Sequence, residues 1–146
     1  MPTLLKLLPD SQRAGVFQTA IDADEIVAAA KTVGLDVFKL DLAGARGKNG
    51  LLARCAKALH FPAHFGKNWD ALNDCLTDLD WFRGKGLVLI LTNAKKFAEA
   101  HEEPFHTAID VLNQAAEYWR GQKKPFWVLI QTQSDLALEL PKIVGE

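Results

Sequence analysis

Asp70, Asp74 and Asp78 follow one another at intervals of four residues, Asp80 lies just beyond, and no Lys or Arg falls between Asn68 and Phe82. In a helix this spacing stacks the carboxylates on one face. Trp69, Leu72, Cys75, Leu76 and Leu79 fall within one arc on the opposite side. The segment therefore predicts an amphipathic helix over residues 69–79, opened by a turn at Gly66 and Asn68. Like charges four apart cost an isolated helix roughly 0.2–0.5 kcal/mol per pair, and helices with no further task usually alternate sign. Spacing alone leaves two readings open: an acidic ridge awaiting a cationic partner, or a solvated helix face. A shared divalent ion fits poorly, because three carboxylates over two turns span ~12 Å.

Other reactive residue types assemble into nothing comparable. The run Gly44-Ala45-Arg46-Gly47-Lys48 has two residues between its glycines and Asn49 after the lysine, where a Walker phosphate loop needs four and a Ser or Thr. His101 and His106 are five apart with Pro104 between them, which suits a helix junction rather than a zinc pair. His60 and His64 flank Phe61 and Pro62 and read as solvent-facing or interface residues. Cys55 and Cys75 both sit in apolar helical patterns and read as buried, reduced thiols. Trp69, Trp119 and Trp127 read as core, and Trp81 as core or interface. No nucleophile, base and orienting group can be grouped from spacing. Neither an enzyme, a metal site nor a cofactor is expected.

The elements that must position the ridge follow from composition and periodicity. A chain of 146 residues, 49% hydrophobic and 24% charged, fits one globular domain with its own core. A net charge of -1 excludes a sequence-independent nucleic-acid binder, which needs a basic surface, so charge recognition must be local. The opening MPTLLKLLPD, interrupted by Lys6 and Pro9, is too short for a signal peptide or a membrane span. A cytoplasmic location without membrane or nucleic-acid contact is expected. Residues 87–91 and 126–130 are continuous apolar runs of strand length, as in parallel sheets covered on both faces. Residues 35–42 read as a further strand, GARGKNG (44–50) as a loop, and Leu51, Leu52, Cys55, Ala58 and Leu59 as a helix. A short helix around Phe97 precedes a long one running from Pro104 to Gly121. Near the start, Val16–Gln18 suit a short strand, and a helix opens at Asp22 and Glu25 and stops at Gly34. The predicted fold is α/β, with a small three-stranded parallel sheet packed by helices. An added strand and helix over 1–34 precede a core over 35–131 and a tail over 132–146.

The run FGKNWDALNDCLTDL, residues 65–79, closely resembles the signature of the barstar family. That signature is a tyrosine-glycine-acid-asparagine turn, then a helix reading leucine-aspartate-alanine-leucine-X-aspartate-cysteine-leucine-threonine. Phe65, Gly66, Asn68, Asp70, Ala71, Leu72, Asp74, Cys75, Leu76 and Thr77 match in unbroken register, and the order of elements agrees from residue 35 to about 131. The resemblance implies an intracellular, antitoxin-like inhibitor of a barnase-like ribonuclease, with the turn and helix entering the nuclease cleft. Asp74 would occupy the phosphate pocket, Asp70 would be the second contacting acid, Gly66 and Asn68 would shape the turn, and Thr77 would lie at the margin. Asp78 extends the same ridge. The chain departs from the pattern at contact positions: His64 stands for an aromatic, Asn73 for a tryptophan, and Lys67 for an acid. Gln114 falls where the last long helix carries an acid, and a contact tryptophan corresponds to Leu79 or Trp81. These departures imply a different cognate nuclease or toxin domain, or a partner that is not a ribonuclease. The oligomeric state is left open, with a monomer as the default.

Overall fold

Strands that are apolar at every position need cover on both faces, and the rest of the chain is arranged to supply it. The computed structural model describes residues 3–62, 66–78, 84–132 and 140–143. Its elements run α1 (Leu4–Leu7), β1 (Val16–Thr19), α2 (Ala23–Thr32), β2 (Asp36–Asp41), α3 (Gly47–Ala58) and α4 (Trp69–Leu76). They continue with β3 (Leu87–Thr92), α5 (Ala94–Ala100), α6 (Glu102–Gly121), β4 (Phe126–Gln131) and β5 (Lys142–Ile143). The strands form one sheet in the order β2-β3-β4-β1-β5, with every pairing parallel.

β3 and β4 are buried throughout except at their last residues. The strand period of two sends their side chains alternately into two cores. Leu87, Leu89, Leu91, Phe126, Val128 and Ile130 face a core covered by α3 to α6, whereas Val88, Ile90, Trp127 and Leu129 face one covered by α1 and α2. The chain crosses from β1 to the far edge at β2, then returns through β3 to β4. Right-handed crossovers in opposite directions must lie on opposite faces, which is why α2 sits alone with α1 and the later helices share the other side.

Helix ends follow local chemistry. Asp22 caps α2 by accepting from the Asp24 amide at 3.2 Å, and Gly34, at φ +81°, turns the chain out of that helix in a conformation that favours glycine. α3 begins at Gly47, a full turn before the first apolar residue of its stripe. Apolar periodicity at 51–59 therefore places its start too late: a first turn need not face the core.

The expected three-stranded sheet is corrected to five strands among the described residues. The short strand expected in the added N-terminal layer, Val16–Thr19, lies inside the sheet, between β4 and β5. Its buried polar side chains are satisfied by the segment read as a tail: Gln18 Nε2 donates to the Leu140 carbonyl at 2.9 Å and Thr19 Oγ1 to that of Ile143 at 2.6 Å. Trp127 Nε1 donates to the Leu8 carbonyl at 2.8 Å, binding the N-terminal layer to the central strand. Arg120 Nη2 does likewise for Ala14, at 2.7 Å.

Where β2, β3 and β4 begin, the backbones approach so closely that only glycine fits. A Cβ on Gly86 would lie 2.6 Å from Pro125 Cγ and 2.7 Å from its carbonyl oxygen, with Leu35 Cδ2 at 2.9 Å. At the other edge, Asp41 Oδ1 accepts from Asn93 Nδ2 at 2.8 Å and from the Ala43 amide at 2.9 Å. These bonds, the Asn93 bond foremost, hold its carboxyl below the ordinary value of 3.8. Two outcomes are expected in urea unfolding. Gly86→Ala lowers stability by about 1–3 kcal/mol through overpacking, whereas Gly121→Ala, with nothing within 4 Å of the new Cβ, is neutral or stabilising. Because the folded pKa of Asp41 is the lower one, its contribution is complete above pH 3.8 and disappears as pH falls through the lowered value. Asp41→Asn is expected to flatten that acid limb of the stability profile.

Candidate functional site

α4 has only eight residues, too few to persist alone in water, so its position depends on caps and packing. Asn68 provides the N-cap: its backbone is extended and its Oδ1 accepts from the Ala71 amide at 2.7 Å. The residue forced into left-handed backbone in this turn is Lys67, at φ +49°, and not the neighbouring Gly66. A Cβ on Gly66 would make only near-ordinary contacts, 3.4 Å to Asn68 Nδ2 and 3.6 Å to Ala71 Cβ. At the far end, Thr77 Oγ1 donates back to the Asn73 carbonyl at 2.8 Å. The helix stops at Leu76, short of the residues 69–79 expected, and Asp78 follows it rather than riding on it.

Packing orients the helix. Leu72 and Leu76 are fully buried against the core beneath α6, and half-buried Trp69 packs on the same cluster. Trp119, on the last turn of α6, donates its indole Nε1 to the Leu76 carbonyl at 2.8 Å, satisfying one of the unpaired carbonyls of the helix end. Lys48, in the first turn of α3, lies over the Trp69 ring, its Nζ 5.9 Å from the centroid. Both ends of the short helix are thus held from other elements.

With that face inward, Asp70, Asn73, Asp74 and Thr77, spaced i, i+3, i+4 and i+7, form the outward stripe. Asp70, Asp74 and Asp78 are exposed, and Asn73 and Thr77 half-buried. Asp70 sits in the first turn, where the helix dipole favours a carboxylate. Among the described residues neither Asp70 nor Asp74 forms an ion pair with a lysine or arginine. The local field is legible at Cys75: burial, then the charges of Asp78 and Asp74, push its thiol pKa up. Cys75 is half-buried, which corrects the expectation of a buried thiol. Cys55 is fully buried, its pKa pushed up to about 12 by burial.

Of the residues singled out from sequence, Gly66, Asn68, Asp70, Asn73, Asp74, Thr77 and Asp78 come together on α4 and its flanks. His64, Leu79 and Trp81 lie outside the described residues. Gln114 is exposed on α6. Sequence reasoning missed the Trp119 bond to Leu76 and the Lys48 contact with Trp69. A buried tryptophan signals that its N–H needs an acceptor, but nothing in the chain says which.

The family described as Barstar (barnase inhibitor) matches residues 35–131 of this chain. No curated protein matches it. Among solved structures, the chain is similar to the ORC2 protein of Aeropyrum pernix, in ADPNP-ADP complexes, with a TM-score of 0.59 at 16% identity. That likeness covers 88% of this chain and 38% of the other, and it shows the fold alone. Asn68→Ala should cost about 0.5–2 kcal/mol, and Asn68→Asp, which keeps a capping oxygen, much less, as read from thermal and urea midpoints.

Proposed function

Because the chain belongs to the barstar (barnase inhibitor) family, we propose that it is a protein inhibitor that occludes the cleft of a barnase-like ribonuclease with the acidic face of α4. The observation that carries this reading is the outward pair Asp70 and Asp74, without lysine or arginine partners among the described residues, on a helix fixed by Leu72, Leu76 and Trp119. A ribonuclease cleft must be cationic to hold RNA. A carboxylate on an already ordered helix can take the place of the phosphate without a large ordering cost. In this reading Asp74 enters the phosphate pocket and Asp70 contacts its rim. Asn68 and Gly66 present the turn, and His64, Asn73, Thr77, Asp78 and Trp81 complete the contact. The chain acts by occupation, without chemistry of its own, inside the cell that must be spared the nuclease.

The departures at Asn73 and Lys67 favour a second reading, in which the same face meets a partner that is not a ribonuclease. Lys67 puts a cation in left-handed backbone beside the ridge, and Asn73 replaces a large aromatic with an amide. Lys67 weakens attraction to a cationic cleft, and Asn73 removes a large apolar contact surface.

Titration of barnase-like nuclease domains with the purified chain, read by RNA cleavage, distinguishes the two. Inhibition by wild type and its loss with Asp74→Ala, by at least about 2 kcal/mol in binding, supports the first reading. Lys31→Ala, on the opposite side of the sheet, should leave inhibition unchanged. Affinity should also fall as salt rises from about 0.1 M towards 1 M, as the Debye length shortens from about 10 to 3 Å. Undiminished inhibition by Asp74→Ala, or salt-independent affinity, would contradict the proposed contact. No inhibition across a broad nuclease panel would favour the second reading.

A further inference from the structure

Among the described residues, four that are not glycine adopt left-handed backbone: His60, Lys67, Asn93 and Lys123. Three of them have a local reason. His60 and Lys123 stand just past the last turns of α3 and α6, where that conformation commonly closes a helix. There the Phe61 amide donates to the Ala56 carbonyl at 3.0 Å, and the Lys124 amide to that of Trp119 at 2.9 Å. Asn93 is of a residue type that visits the left-handed region readily. Lys67 has neither reason. It precedes a helix, and the residue type that would adopt its backbone without strain stands one position earlier, at Gly66.

Its charge is also placed against the local field. Lys67 is exposed and lies just before the Asn68 cap of α4, at the positive end of the helix dipole. Among the described residues it forms no ion pair, although Asp70 is only three positions away. Lys48, exposed in the first turn of α3, brings a second ammonium to the same end, 5.9 Å from the Trp69 ring centroid. The face around α4 is therefore dipolar, with two cations at its start and the carboxylates of Asp70, Asp74 and Asp78 after them. A cation in strained backbone and against a dipole lowers the stability of the free chain. Its use then lies in a contact that the free chain lacks.

We infer that the partner bears a carboxylate on the rim of its cationic cleft, opposite Lys67, so that the two surfaces match as dipoles. The inference rests on the reading of α4 as the face that enters a nuclease, and it makes Lys67 the residue that selects among such nucleases. Against a cleft that is cationic throughout, Lys67 repels. Against one with an acidic rim it attracts, and it fixes the register of the carboxylates in the pocket. A nuclease with such a rim accommodates Lys67 without recourse to another class of partner. The sign of the change on reversing the Lys67 charge separates the two kinds of cleft.

The test measures inhibition of a panel of barnase-like nuclease domains by the full chain carrying Lys67→Glu or Lys67→Gly, with Lys31→Ala as the control. For the nuclease that wild type binds most tightly, Lys67→Glu should weaken affinity at least about tenfold, and Lys67→Gly by a smaller factor. Because Lys67→Gly relieves the backbone, its urea midpoint should hold or rise while its affinity falls. A purely structural role would lower both together. Rim carboxylates of that nuclease are then replaced one at a time by lysine, and one replacement should restore affinity for Lys67→Glu. Affinity of Lys67→Glu equal to or above wild type overturns the inference and leaves the inhibitor reading intact. Failure of every rim replacement to restore binding does the same. Absence of inhibition by wild type across the whole panel removes the inhibitor reading and this inference together.

Discussion

Two-sided burial of β3 and β4 governs the rest of the molecule. Strands apolar at every position, Leu87 to Leu91 and Phe126 to Ile130, cannot face water on either side. Helices must cover both faces, and right-handed connection then decides which helix goes where. α4 reaches the crowded face because the connection from β2 to β3 has to pass there. Once Leu72 and Leu76 are committed to that core, the carboxylates on the other side of the helix have only solvent to face.

The outward carboxylates come at a cost in local stability, since Asp70 and Asp74 repel across one turn. The compensation comes from elsewhere in the fold. Asn68 caps the helix, Trp119 donates to its last carbonyl, and Lys48 packs over Trp69 at its first residue. Each of these contacts fixes a backbone or an aromatic group while leaving the carboxylates without a counter-charge. A helix held from both ends presents its charge in one geometry, which is what a partner with a narrow cationic pocket would select.

The exposed carboxylates of Asp70, Asp74 and Asp78 follow one another along α4 and its end, so a chain of nearly zero net charge carries a local acidic field there. Asp41 marks the distinction between charge used for architecture and charge left for recognition. Its oxygen is occupied by Asn93 and the Ala43 amide, whereas Asp70 and Asp74 remain open to solvent.

Much of this was legible in one dimension, for physical reasons. Apolar runs identify β3 and β4 because full burial leaves no polar position within them. The period of α4 and the motif around it identify the ridge, because a helix face is a local property of spacing. The membership of β1 and β5 in the sheet was not legible: two buried polar residues in β1 and a two-residue β5 leave no apolar alternation to read, and their bonds span more than 120 residues. The end of α4 was misjudged because Leu79 continues the apolar stripe in sequence, while the helix stops at Leu76, whose carbonyl is taken by the distant Trp119. Local order and charge pattern thus belong to the sequence itself. The acceptor of Trp119 and the interior place of β1 were decided only when distant segments met, since each depends on two parts of the chain that carry no sign of one another.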